Sequence, residues 1–191
     1  MEEPRYKVKT APIFEPVALA EFKRNLHIGN QDAGDNAMDV YLQEILTGVI
    51  EGVQVDLGRQ LARATYTLYL DEFPEDDFPI TLGPVDAITS VKYYNSAGEL
   101  TTMDPADYQL DNIELTGRLR FLETYALCPD KMNAIEIEFT NGWVDAASIP
   151  KKLKDAVILM ATDRYLNPEN AINMKISSAE NMLRGYRVQR F

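Results

Sequence analysis

Side-chain chemistry has few starting points in this chain, which holds one histidine, His27, and one cysteine, Cys128. His27 sits between Leu26 and Ile28 with no serine or cysteine motif to pair with, so a helix-end surface histidine is a plainer reading than a general base. Cys128 has no second cysteine and no nearby histidine, which leaves no internal disulfide, zinc knuckle or redox pair and fits a reducing compartment. The sequence shows no glycine-rich phosphate loop, dinucleotide fingerprint, nucleophile elbow or His-Glu-x-x-His. Carboxylates are the abundant groups. Asp71, Glu72, Glu75, Asp76 and Asp77 crowd around Phe73-Pro74, where they could hold a hard cation or serve a metal-dependent hydrolase. The run lacks the glycine-centred alternation of a calcium loop, and a solvated acidic loop is the plainer account. The expectation is no catalytic residue, no cofactor and no resident metal.

Recognition chemistry is concentrated at the other end. Arg184 and Arg187 flank Tyr186 and precede Arg190-Phe191, in a chain whose 30 acidic and 19 basic residues leave a formal net charge of -11. Arginine and tyrosine favour interfaces because each covers large area and offers directional hydrogen bonds. A frayed basic tail is the alternative. The acidic body disfavours bulk binding to nucleic acid or to an anionic membrane.

The elements that must position these groups follow from periodicity. Pro16 takes a first helical position, and Leu19, Phe22 and Leu26 recur at helical spacing behind it. Asp35 is an N-cap for a long helix, on which Met38, Leu42, Ile45, Leu46, Val49 and Val53 form one apolar stripe. Gly48 and Gly52, four apart on that helix, each cost about 1 kcal/mol relative to alanine, which points to close approach of another backbone or to a tolerated weak spot. From Thr65 the period becomes two, and strands are predicted at 65–70, 80–82, 88–94, 99–103, 108–110, 118–122 and 134–140. Asn95-Ser96-Ala97-Gly98 is a hairpin loop, and no long helical pattern intervenes, so the sheet is expected to be antiparallel. Ser148-Ile149-Pro150 restarts a helix whose stripe is Leu153, Val157, Met160, Ala161 and Tyr165, ending near Asn167-Pro168.

These 191 residues, 46% hydrophobic and 26% charged, are composed as a packed globular protein. The longest apolar run, Ala156 to Ala161, is far short of the roughly 20 residues that span a bilayer, and Met1-Glu2-Glu3-Pro4 shows no secretory signal. The fold class expected is α+β: an N-terminal helical part at 1–62, a β-rich insertion at 63–145, and a C-terminal helical part with tail at 146–191 packing with 1–62 as one helical domain.

The segments together resemble the head-tail connector, or adaptor, proteins of long-tailed bacteriophages, in the longer version with a strand-rich middle. The resemblance runs almost the whole chain, through Glu15-Pro16-Val17, Leu19-Ala20-Glu21, Gly58-Arg59-Gln60-Leu61 and Leu68-Tyr69-Leu70-Asp71-Glu72-Phe73-Pro74. It continues through Gly83-Pro84-Val85, Ile88-Thr89-Ser90-Val91-Lys92-Tyr93-Tyr94, Gly98, Asp107-Tyr108, Gly117-Arg118-Leu119 and Phe139-Thr140-Asn141-Gly142-Trp143. Ile149-Pro150, Leu153-Lys154, Ala156 and the closing Met182-Leu183-Arg184-Gly185-Tyr186-Arg187 complete it. One departure is Pro168, where such proteins usually place an arginine after the asparagine.

The resemblance implies a helical connector core and a non-enzymatic structural protein. It would form a ring, a dodecamer when assembled, with the free subunit able to remain monomeric. The ring would dock beneath the portal protein of the filled head, extend the DNA channel, and carry later neck and tail proteins, with DNA passing as a repelled cargo. It implies a virion location at the head-tail interface, after assembly in the bacterial cytoplasm, and no membrane. Arg184, Tyr186, Arg187 and Arg190 become portal-contact candidates, and Gly48 and Gly52 ring-packing candidates. The alternatives are another phage neck or tail-completion component, or a metal-dependent hydrolase built on the Asp71–Asp77 run.

Overall fold

Alternating apolar residues build the sheet half of the molecule. The computed structural model describes residues 5–28, 36–169 and 178–188. Strands β1 (Arg5–Thr10), β2 (Ala64–Leu70), β3 (Phe78–Ile80), β4 (Val85–Tyr94), β5 (Leu100–Thr102), β6 (Tyr108–Asp111), β7 (Gly117–Phe121) and β8 (Ile135–Asn141) form two antiparallel sheets. The larger has the order β1-β2-β8-β4-β5 and the smaller β3-β7-β6. Ile135, Ile137 and Phe139 of β8 are fully buried and Glu136 and Glu138 face outward, as a half-buried strand requires. β4 buries Val85, Val91 and Tyr93, and two register shifts between Val85 and Ser90 break its alternation so that Ile88 packs on the same core. One core cluster joins both sheets, with Leu68, Ile80, Val91, Leu119, Ile135, Ile137 and Phe139 fully buried.

The N-terminal arm differs from the expectation of a helical part over 1–62. Its residues 5–10 pair with β2, Tyr6 opposite Leu68, as the edge strand of the larger sheet. The chain divides into two compact units, Met1–Ile13 with Ala62–Trp143 and Phe14–Leu61 with Val144–Phe191. The chain enters and leaves the sheet unit at adjacent points, where Ala62 bridges Trp143 and Arg63 N–H donates to the Trp143 carbonyl at 3.0 Å.

Helical residues form the second unit. Helix α1 (Leu19–Asn25) starts later than expected: Pro16 is buried ahead of it and Ala18 is its N-cap. His27 follows its C-cap with φ of 57°, exposed, its N–H donating to the Arg24 carbonyl at 3.2 Å. Helix α2 (Asn36–Leu57) buries Leu42, Ile45, Leu46, Val49 and Val53 as read from the stripe, and adds Ile50 and Leu57. The expected N-cap, Asp35, lies outside the described residues. Helix α3 (Lys151–Leu166) is entered through Pro150 and buries Leu153, Ala156, Val157, Ile158 and Ala161, while Met160 and Tyr165 stay half-buried. Asn167 N–H closes it on the Asp163 carbonyl at 2.8 Å, one residue before Pro168. Helix α4 (Ser178–Leu183) buries Ala179 and Leu183 and runs into a 3-10 turn at Arg184–Tyr186.

Gly142 marks the exit from the sheet. Its φ is 87°, and a Cβ there would sit 2.6 Å from the Ala62 carbonyl oxygen. Gly142→Ala should cost more than the roughly 1–2 kcal/mol of left-handed backbone strain alone, read as a lowered urea midpoint. Gly185→Ala, with nothing within 4 Å, should leave the midpoint nearly unchanged.

Candidate functional site

Where α2 stops, its last carbonyls lack helical partners. Gly58, with φ of 64°, turns the chain so that its N–H reaches the Val55 carbonyl at 3.2 Å and Arg59 N–H reaches Gln54 at 3.1 Å. This double bond pattern is a Schellman closure, which glycine permits at that position. Gln54 Oε1 then accepts from Leu61 N–H at 3.0 Å. The turn buries Arg59, and desolvation holds its guanidinium below the ordinary arginine pKa. Arg59 Nε donates to the Tyr186 carbonyl at 2.6 Å, Val188 N–H donates to the Leu57 carbonyl at 3.0 Å, and the Val188 side chain lies over Gly58. The C-terminal segment is thereby fastened to the end of α2.

This geometry sorts the four basic-end candidates. Arg187 pairs at the surface with Asp56, with Nε at 3.1 Å and a terminal nitrogen at 2.6 Å from one carboxylate oxygen. Tyr186 is half-buried and supplies the carbonyl that Arg59 holds, and Arg184 stands exposed on the 3-10 turn. Arg190 lies outside the described residues. Arg184 and Arg187 are thus both exposed on either side of the half-buried Tyr186, and Arg187 is in addition tied to α2 through Asp56. Sequence reasoning missed Arg59, Asp56 and Val188 as its counterparts. The Gly58-Arg59 pair after a long apolar stripe was the available signal, since glycine there announces a left-handed cap.

On α2 Gly48 is half-buried and Gly52 exposed. A Cβ at Gly48 would meet the Arg164 guanidinium at 3.4 Å, and one at Gly52 would meet nothing within 4 Å. Among the described residues no backbone comes within 4 Å of a Cβ at either position. Tyr41 and Tyr165 lie with their ring centroids 6.4 Å apart.

The acidic run does not converge. Asp71 accepts from Arg5 and from the Asn133 N–H, and Asp77 is gripped by Arg120 through Nε at 2.5 Å and a terminal nitrogen at 2.9 Å. Arg118 pairs with Asp111 on the same small sheet, walling a recess of about 350 Å³ with mutually neutralising charges. Hydrogen bonds from Arg120 and Arg118 hold the Asp77 and Asp111 carboxyls below their ordinary values. Among the described residues no group of three histidine, cysteine or acidic side chains is placed to hold a metal, and no helix is long and apolar enough to cross a membrane.

No protein-family model and no curated protein matches the sequence. Solved structures do match the fold. A chain of the neck of an empty gene transfer agent (GTA) particle with C6 symmetry superposes with a TM-score of 0.82 at 23% identity, covering 98% of this chain and 97% of that one. A chain of the virion of a native GTA particle gives 0.80 at 21% identity, over 97% and 96%. A chain of the neck of a native GTA particle with C12 symmetry gives 0.65 at 19%, over 95% and 96%. The likeness is one of fold, and it takes in both compact units.

Two outcomes follow. Arg187→Ala should cost about 0.2–1 kcal/mol, the range of an exposed ion pair, and speed hydrogen exchange at the Val188 amide; unchanged exchange would show that the pair does not hold the segment. Because the folded Asp77 pKa is depressed, the stability it contributes is present above the unfolded value and lost as pH falls through the folded one. Carboxyl-carbon NMR should place the Asp77 pKa below the ordinary aspartate value, and Arg120→Gln should return it toward that value.

Proposed function

We propose that this chain is a structural, non-enzymatic subunit of a ring in the neck of a tailed phage or phage-like particle. It docks beneath the portal of the filled head, extends the channel for DNA and carries the proteins of the lower neck and tail. The observation that supports this is the full-length likeness to chains from GTA necks with C6 and C12 symmetry. Charge agrees: a ring of subunits at -11 each repels the phosphate backbone, which keeps a sliding genome from sticking. Arg184, Tyr186, Arg187 and Arg190 are the portal-contact groups of this reading, and Arg187 also fastens their segment to α2. Gly48 and Gly52 lie where a neighbouring copy packs.

The deciding experiment images the purified protein with its cognate portal by negative-stain electron microscopy, beside the protein alone. Added ring density at the narrow end of the portal supports the assignment, and Arg184→Glu should remove it without changing the thermal melt. No added density overturns portal docking, and density on the tail tube instead would make the chain a tail-completion component. Gly52→Ala should raise the stability of the free subunit by about 0.8–1 kcal/mol, because a helix-interior glycine in open space gains backbone order. Gly52→Leu should leave the free subunit folded and lower ring occupancy on the portal.

A further inference from the structure

Resting on the neck reading above, we infer that neighbouring copies of this chain meet head-to-tail through two outward helical stripes, one on α2 and one on α3. A cyclic ring closes by heterologous contact, so each subunit must present two different surfaces that fit one another. The helical unit has two such surfaces. Opposite its buried face, α2 presents Val40, Glu44, Thr47, Glu51 and Val55 at spacings of three and four, with Val40 57% and Val55 82% exposed. α3 presents Lys152, Leu159 and Leu166 at intervals of seven, with Lys151 beside the first and the two leucines 38% and 65% exposed. At 1.5 Å per residue the two stripes run about 22 and 21 Å, so they match in length.

Charge selects the pairing. Glu44 and Glu51 have no basic partner among the described residues, and Lys151 and Lys152 have no acidic one. Laying α2 of one copy on α2 of the next would bring like carboxylates together, whereas α2 against α3 brings carboxylates toward lysines around a shared apolar seam. Of the α3 carboxylates, Asp155 is half-buried and Asp163 accepts from Asn167 Nδ2 at 2.9 Å at the far end. Subunits at -11 repel one another overall, so a contact between them has to be complementary locally.

The test uses the full chain with Cys128→Ser, to which Val55→Cys and Leu159→Cys are added singly and together. Assembled on the portal and treated with a bismaleimide, the double-cysteine chain should give a ladder of oligomers, and neither single-cysteine chain should give dimers. A ring visible by electron microscopy without a ladder, or dimers from one cysteine alone, overturns this surface and leaves the neck reading standing. An unaltered chain that forms no ring on the portal overturns both. In a second arm, Glu44→Lys with Glu51→Lys, or Lys151→Glu with Lys152→Glu, should each cut the fraction of ring-bearing portals by about tenfold or more. The quadruple variant should restore it, because reversing both faces re-establishes the match. Failure of the quadruple variant to assemble, with its thermal melt intact, also counts against the pairing.

Discussion

The C-terminus of α2 carries carbonyls that the helix itself cannot satisfy, and their closure organises the helical unit. Gly58 takes the left-handed conformation that lets its own amide and that of Arg59 turn back onto the helix. That turn drives Arg59 into the interior, where a desolvated guanidinium requires an acceptor, and the Tyr186 carbonyl from the far end of the sequence supplies one. Val188 then satisfies the Leu57 carbonyl and seats its side chain over the bare Cα of Gly58. One residue without a side chain thus ties a helix end to a segment about 130 positions later.

The sheet unit solves a different problem, which is how a chain can leave a helical body and return to it. Its ends lie side by side because β2, its first strand after the helices, pairs antiparallel with β8, its last, Ala64 opposite Asn141. Beyond that pair the bridge between Ala62 and Trp143 continues the contact, and Gly142 allows the Ala62 backbone to come close enough for it. Adjacent termini are the usual condition for a tolerated insertion.

What the sequence disclosed, and what it hid, follows from range. The strands of the middle region were legible because burial on one face forces a period of two, as in Ile135-Glu136-Ile137-Glu138-Phe139, and the α2 stripe was legible for the corresponding helical reason. β1 falls inside the stretch expected to be helical. Its alternation was present, Tyr6 and Val8 against Arg5, Lys7 and Lys9, but the basic residues that protect an edge strand lowered its apolar content until it looked solvated. Pro16 favours a helix start, yet packing buries it with Val17 and moves that start to Leu19. The Arg187–Asp56 pair was not legible at all, because its partners lie 131 positions apart and nothing local marks an arginine as paired. Gly48 and Gly52 were visible as anomalies in a helix, but whether another part of this chain fills the space they leave is a tertiary fact.

Charge distribution is the last link between this architecture and assembly. At least seven basic side chains, Arg5, Lys9, Lys23, Arg63, Arg118, Arg120 and Arg187, each pair with a carboxylate within the subunit. Most of these pairs are exposed and contribute little to stability, but they consume the bases. Among the described residues carboxylates without a basic partner then dominate the field, and the exposed bases without an acidic partner there, Lys151, Lys152 and Arg184 among them, stand out against it. In such a distribution general repulsion discourages nonspecific contact, and a few positive points decide where specific contact is allowed.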